Sequence, residues 1–160
     1  QTCAFRSRDD YGIESDVDSD CAPLWGTVES LYSVTNDIHV IRDATRGGVG
    51  TVLYEIAGQS NVGITLNASS IPVDPRVKGV CGMLGLEPLY LACEGRLVIV
   101  APQEHADKIV ETLRKGKYTQ NATIIGHITS EHIGRVVMET EIGTQTILPA
   151  PKGELLPRIC

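Results

Sequence analysis

The stretch Ile38-His39-Val40-Ile41-Arg42-Asp43-Ala44-Thr45-Arg46-Gly47-Gly48-Val49-Gly50 decides how the chain is read. Ile38 to Ile41 is a short β-branched, apolar run and predicts a strand. It passes into a glycine-containing turn, Asp43 to Gly48, and then into a helix. Val49, Leu53, Ile56 and Ala57 recur at helical spacing on one face, and Gly58 is the expected stop. A strand feeding a helix through a tight glycine turn points to a mixed sheet with helices laid on it.

The rest of the chain extends this pattern. Before the strand, Leu24, Val28 and Leu31 predict a helix, with Asp20 as its N-cap, Pro23 in its first turn and Cys21 at its start. After the turn, Val62 to Leu66 alternates as a strand. Asp74 is placed to cap a helix with Val77, Val80, Cys81 and Leu84 inward, and Gly85 ends it. Leu89 to Ala92 and Leu97 to Val100 are expected as two strands of a hairpin through Cys93-Glu94-Gly95-Arg96. Pro102 opens another helix, with Ala106, Ile109, Val110 and Leu113 inward. Thr123 to Ile128, Arg135 to Glu139 and Thr144 to Leu148 predict three strands, with turns at Gly134 and Gly143. Four helices and about seven strands make an α+β fold.

The chain has 160 residues, enough for one domain and a short tail. Residues 1–20 are polar and acidic and are expected to form a connector or edge strand. Residues 149–160 carry three prolines and one glycine and are expected to form an exposed tail. Lys+Arg number 14 against 20 Asp+Glu, for a net charge of -6. That balance argues against nucleic acid or an anionic membrane as the main partner. No apolar run approaches the roughly 20 residues of a membrane span, and no secretory leader is visible. The start at Gln1 without a methionine suggests a fragment or a processed product. The 5 cysteines (Cys3, Cys21, Cys81, Cys93 and Cys160) are odd in number, with no CxxC pair. Free thiols and a cytoplasmic, reducing setting are the expectation.

Three segments can carry chemistry. In the turn, Asp43, Thr45, Arg46, Gly47 and Gly48 can form an anion or substrate site. Thr45 would cap the helix, backbone N–H groups would face the ligand and Arg46 would add charge. The same pattern also fits a turn that only packs a helix close to a strand. Glu94, beside Gly95, is a candidate base if burial raises its pKa, or else a solvated turn residue. Cys160 ends the tail as a thiol on an arm of roughly 40 Å reach, with Arg158 nearby to favour the thiolate, or it is incidental. His127 with His132 and Cys81 with Cys93 match no zinc pattern, so no metal site is expected. Trp25 fits either the core or a contact surface.

The segments Ser19-Asp20-Cys21-Ala22-Pro23-Leu24, Arg42-Asp43-Ala44-Thr45-Arg46-Gly47-Gly48, Ile71-Pro72-Val73, Leu84-Gly85-Leu86-Glu87-Pro88-Leu89-Tyr90, Glu94-Gly95, Ile125-Gly126 and Leu156-Pro157-Arg158-Ile159-Cys160 occur here in one order. In these segments the chain resembles the C-terminal half of the HypE family of hydrogenase maturation proteins, the carbamoyl dehydratases. The Thr-Arg-Gly-Gly turn is shared with the wider superfamily of aminoimidazole ribonucleotide synthetase and selenophosphate synthetase. The resemblance implies a three-layer α/β/α domain, residues 1–148, followed by a mobile tail. It implies that an N-terminal ATP-binding domain, about as long again, is absent from this chain.

It further implies a chemistry. A HypF-like carbamoyltransferase loads a carbamoyl group onto Cys160. The tail, shaped by Gly153 and Pro157 and carrying Arg158, then enters a cleft between the two domains. There ATP and magnesium, held mainly by the missing half, support dehydration to a thiocyanate. Glu94 would take protons from nitrogen, and the Thr45–Gly48 turn would face anionic oxygens. The cyano group would pass to iron on a HypC–HypD complex for nickel–iron hydrogenase. The parent would be a homodimer, and this chain alone would bind no cofactor tightly. Cys93 stands where the family usually has Asn. The alternative is a stand-alone carrier or interaction module that presents Cys160 without ATP chemistry.

Overall fold

The computed structural model describes residues 19–151. In chain order the elements are α1 (Trp25–Tyr32), β1 (Val40–Asp43), α2 (Gly48–Gln59), β2 (Gly63–Asn67), α3 (Pro75–Leu84), β3 (Leu97–Val100), α4 (Gln103–Leu113), β4 (Gly126–Thr129), β5 (Val136–Glu139) and β6 (Gln145–Ile147). Short 3-10 turns occupy Ala68–Ser70 and Pro88–Tyr90. The α+β class holds. The strands, however, form two sheets among the described residues, one of β1 with β3 and one ordered β4-β2-β5-β6.

Side-chain alternation explains the layering. β1 and β3 run antiparallel with Val40 opposite Val100, Ile41 opposite Ile99 and Arg42 opposite Val98. Val40, Val98 and Val100 face one way, into the core built on Val52, Leu53, Ile56 and Ala57 of α2. Ile41 and Ile99 face the other way, toward Leu31 of α1 and Ile109 and Leu113 of α4. The two-stranded sheet thus has helices on both faces, which is the expected α/β/α order. Beyond α2, Ile64 and Leu66 of β2 and Val136 of β5 close the same core. Helix α2 is therefore covered from two sides by sheet, and its sequence is apolar nearly all round. Each of its buried Val, Leu and Ile side chains contributes about 1.5–3 kcal/mol.

In the larger sheet β2 pairs antiparallel with β4 and parallel with β5. Helix α3 follows the sequence closely: the Asp74 carboxylate accepts from the Arg76 N–H, Pro75 opens the helix and Gly85 closes it in the left-handed conformation. Val77 and Cys81 of α3 pack on Leu91.

Several expectations are corrected. Asp20 does not cap α1: the N-cap is Leu24, with no side-chain hydrogen bond. Cys21 precedes that helix and is exposed. The 89–100 hairpin does not form. Pro88 and the Glu87 side chain, which accepts from the Leu89 N–H, fold 88–90 into a 3-10 turn, and Leu97–Val100 pairs instead with β1. Asp43 is the last residue of β1 rather than part of the turn. Thr45 does not cap α2: Gly47 occupies that position. Helix α2 runs one residue past Gly58. Six strands are present among the described residues, not seven.

Candidate functional site

The glycine turn is shaped by two consecutive left-handed residues, Gly47 at φ 76° and Gly48 at φ 62°. Any other residue type is disfavoured in that conformation. The Gly48 N–H donates to the Thr45 carbonyl at 3.2 Å, closing the turn. Gly48 is buried, and a Cβ there would strike the carbonyl oxygens of Leu89 and Leu91. A Cβ on Gly50 would meet the Tyr90 ring. The glycines thus let the start of α2 lie directly on the 88–91 segment.

That contact organises the loop that follows. The Cys93 N–H donates to the carbonyls of Ala44 (3.0 Å) and Thr45 (3.3 Å), and the Ala44 N–H donates to the Arg96 carbonyl at 3.1 Å. The Cys93 thiol is buried and donates to the Leu91 carbonyl at 3.3 Å. It points away from the solvent face of the loop. The Glu94 N–H donates to Asp20 Oδ1 at 3.3 Å. Gly95 lies against the Asp20 carbonyl, where no side chain would fit. Arg96 Nη1 donates to the Pro72 carbonyl at 3.1 Å. Asp20, the 43–48 turn, Pro72 and the 93–96 loop therefore meet in one place. The Asp20–Glu94 bond was missed because Asp20 also fits a helix cap.

Of the predicted site residues, Asp43, Thr45, Arg46, Gly47, Gly48 and Glu94 fall within this neighbourhood. Asp43, Arg46 and Glu94 are exposed, Thr45 and Gly47 are half-buried. The Gly48 N–H is already used by Thr45, so an anion arriving here would meet Arg46 and the Gly47 end of the turn. The Arg42 guanidinium is engaged elsewhere, donating to Glu55 Oε2 at 2.7 Å. Cys160, Pro157, Arg158, Gly153 and Cys3 lie outside the described residues. Among the described residues no group of three His, Cys, Asp or Glu is arranged to hold a metal ion. No described helix is long and apolar enough to cross a membrane. Trp25 is 71% exposed, so it is not core.

Sequence reasoning also missed a pair of tyrosines. The Tyr54 hydroxyl donates to the Leu148 carbonyl and the Tyr90 hydroxyl to the Pro149 carbonyl. Tyr54 lies on α2, and Tyr90 lies beside the start of that helix. They hold the chain where it leaves β6, next to the glycine turn. Burial, with lesser contributions from Tyr54 and Glu87, pushes the Tyr90 phenol up to about 12. Burial also raises the Cys81 thiol, with Glu87 adding to the shift.

The chain that folds in this way also falls in a known class of domain. The family model for AIR synthase related protein, C-terminal domain, matches residues 11–139. The chain belongs to that family. Within it the similarity is to the C-terminal domain of HypE proteins. Carbamoyl dehydratase HypE of Azotobacter vinelandii is 40% identical over 153 residues, 96% of this chain and 45% of the relative. A hydrogenase maturation protein HypE solved in complex with ATP superposes with a TM-score of 0.87 at 40% identity, covering 99% of this chain and 48% of that one. HypE from a HypE–HypF complex superposes with a TM-score of 0.85 at 37% identity, covering 91% of this chain and 47% of that one. The chain thus spans slightly under half the length of the relatives it matches.

Proposed function

We propose that this chain is the C-terminal part of a HypE-like carbamoyl dehydratase and that Cys160 carries the group being processed. The observation that carries this reading is the meeting of the glycine turn and the Glu94 loop in one place, with Pro149 tied through Tyr90 to the start of the same helix. The relatives named carbamoyl dehydratase support it.

In this reading a HypF-like carbamoyltransferase forms the bond between the Cys160 sulfur and the carbamoyl carbon. A HypE–HypF complex among the solved relatives favours that partner. The S-carbamoyl group then loses its oxygen to the terminal phosphoryl group of ATP and its two nitrogen protons to base. The products are a thiocyanate on sulfur, ADP and phosphate. Glu94, exposed in this half alone, accepts a proton from nitrogen in this reading once the N-terminal half covers its loop. Arg46 and the Gly47 end of the turn face the anionic oxygens. ATP is a co-substrate held chiefly by the N-terminal half. Magnesium would likewise be held there. The thiocyanate is passed to iron on a HypC–HypD complex, and the completed protein works as a homodimer in the cytoplasm. By itself the chain acts as a carrier module, with residues 149–160 as its arm.

The test is mass spectrometry of the protein completed with a HypE-type N-terminal half and incubated with its carbamoyltransferase. Modification should appear in the wild type, persist when Cys21, Cys81 or Cys93 is replaced, and vanish in Cys160→Ala. Modification that survives Cys160→Ala overturns the carrier assignment.

A further inference from the structure

Residues Leu148 and Pro149, just past β6, are held at several points. The Leu148 side chain is buried to 1% exposure, and its N–H donates to the Val136 carbonyl at 2.9 Å. Its carbonyl accepts from Tyr54, and the next carbonyl accepts from Tyr90. Both hydroxyls come from residues far away in sequence, 94 and 59 positions apart from their acceptors. Pro149 and Ala150, which follow, are exposed. Burial, the strand-end hydrogen bond and both tyrosine bonds thus converge on the peptide unit that joins Leu148 to Pro149.

We propose that Tyr54 and Tyr90 form a clasp that fixes the pivot of the C-terminal arm beside the glycine turn, making them positioning residues for the delivery of Cys160. This rests on the carrier reading above. The 11 residues after Pro149 reach at most roughly 40 Å. A thiol on a tether of that length samples a limited volume around its anchor, and its effective concentration at a site depends on where the anchor sits. Tyr90 ties the anchor to the site directly, because its ring packs against Gly50 in the first turn of α2. Two phenols bonded to adjacent carbonyls also restrict the direction in which the chain leaves. One bond would leave the peptide free to turn about it. A phenol is protonated throughout the neutral range, so both tyrosines remain donors there.

The clasp makes a prediction that simple structural support does not. The Tyr54→Phe/Tyr90→Phe pair keeps both rings in the core and removes only the two hydroxyls. In the first arm, spin labels are placed on Cys160 and on a cysteine introduced by Arg46→Cys, with Cys3 and the exposed Cys21 replaced by serine. The distance distribution between labels should broaden in the double variant while circular dichroism is unchanged. In the second arm, the completed protein should load carbamoyl groups at the parental rate but dehydrate them about tenfold more slowly. The same variant shortened to end at Pro149 and given a carbamoylated peptide of residues 150–160 in trans should show no such loss, since nothing tethered remains to be positioned.

If the double variant unfolds, the single Tyr54→Phe and Tyr90→Phe variants carry the same comparison at smaller amplitude. An unchanged distance distribution, or equal losses in cis and in trans, overturns the clasp. A broadened distribution in a protein that dehydrates nothing, wild type included, upholds the clasp as an anchor and overturns the carbamoyl dehydratase reading instead.

Discussion

The main-chain N–H of Cys93 donates to the carbonyl of Ala44 at 3.0 Å. This bond joins two parts of the chain that the sequence separates by a sheet strand, two helices and several turns. It does not depend on the Cys93 side chain, which turns inward to Leu91. The loop is therefore attached to the turn through the main chain, whichever side chain stands at position 93.

Glu94 sits between this bond and the one its own N–H makes to Asp20. With both sides fixed through the main chain, Glu94→Gln should keep the loop in place and remove only the base. In the completed protein, carbamoyl loading should be unaffected and dehydration slower by about 10²–10⁴-fold. Quantifying S-carbamoyl and thiocyanate forms by mass spectrometry over time checks this. Dehydration at the parental rate would show that Glu94 is a solvated turn residue.

Two glycines of α2 should respond in opposite directions. Gly48→Ala places a Cβ against two carbonyl oxygens in a left-handed conformation and should cost at least about 2 kcal/mol. Gly58 has no neighbour within 4 Å of its Cβ position. Gly58→Ala should stabilise by about 0.5–1 kcal/mol through the unfolded chain. Urea denaturation of the two variants beside wild type decides both.

The raised Tyr90 phenol predicts a loss of stability in alkali. Its ordinary value is 10.0 and its folded value about 12. Above pH 10 the unfolded chain releases this proton while the folded chain keeps it, so the unfolded state gains. The contribution is whole below about pH 10 and disappears as pH rises toward 12. Denaturation midpoints measured across that range should fall more steeply for wild type than for Tyr90→Phe. Parallel slopes would show that the phenol titrates normally.

Asp74 gives the mirror case in acid. Its carboxyl is lowered from 3.8 to about 2, first by the side-chain hydrogen bond from Arg76 and then by the Arg76 N–H. The associated stability is present above about pH 4 and is lost as pH falls toward 2. Thermal melts of wild type and Asp74→Asn should therefore differ at neutral pH and converge in acid. A constant gap over that interval would mean that the pair contributes nothing through charge.

The ends of helix α3 were legible from sequence, because its start and stop are both local: Asp74 bonds two residues ahead and Gly85 needs only its own φ; its expected inward face was too wide, since Leu84 is exposed. Helix α2 was legible from its apolar spacing. The 89–92 segment was misread because its apolar run satisfies a strand pattern, whereas Glu87 and Pro88 impose a 3-10 turn. Asp20 was misread for a related reason, since a carboxylate before a helix fits a cap whatever loop it meets in space. The glycine turn and Glu94 were found as separate candidates, and their proximity depends on the Cys93–Ala44 bond. The tyrosine clasp left no local signal, since Tyr54 and Leu148 are 94 residues apart.

The central strand of the larger sheet also bears on how the protein comes to be folded. Ile64 has Ile128 as its partner on one side and Val136 on the other. Both leave the ribosome well after β2 does. β1, α2 and β3 can associate earlier, since Arg42 meets Val98 and neither needs the later strands. Until residues 126–139 emerge, β2 exposes two unpaired edges and the apolar flank of α2 stays uncovered. Long-range pairing of this kind slows folding and leaves nascent chains open to aggregation. The interval between synthesis of β3 and β5 is when a chaperone would have the most to shield.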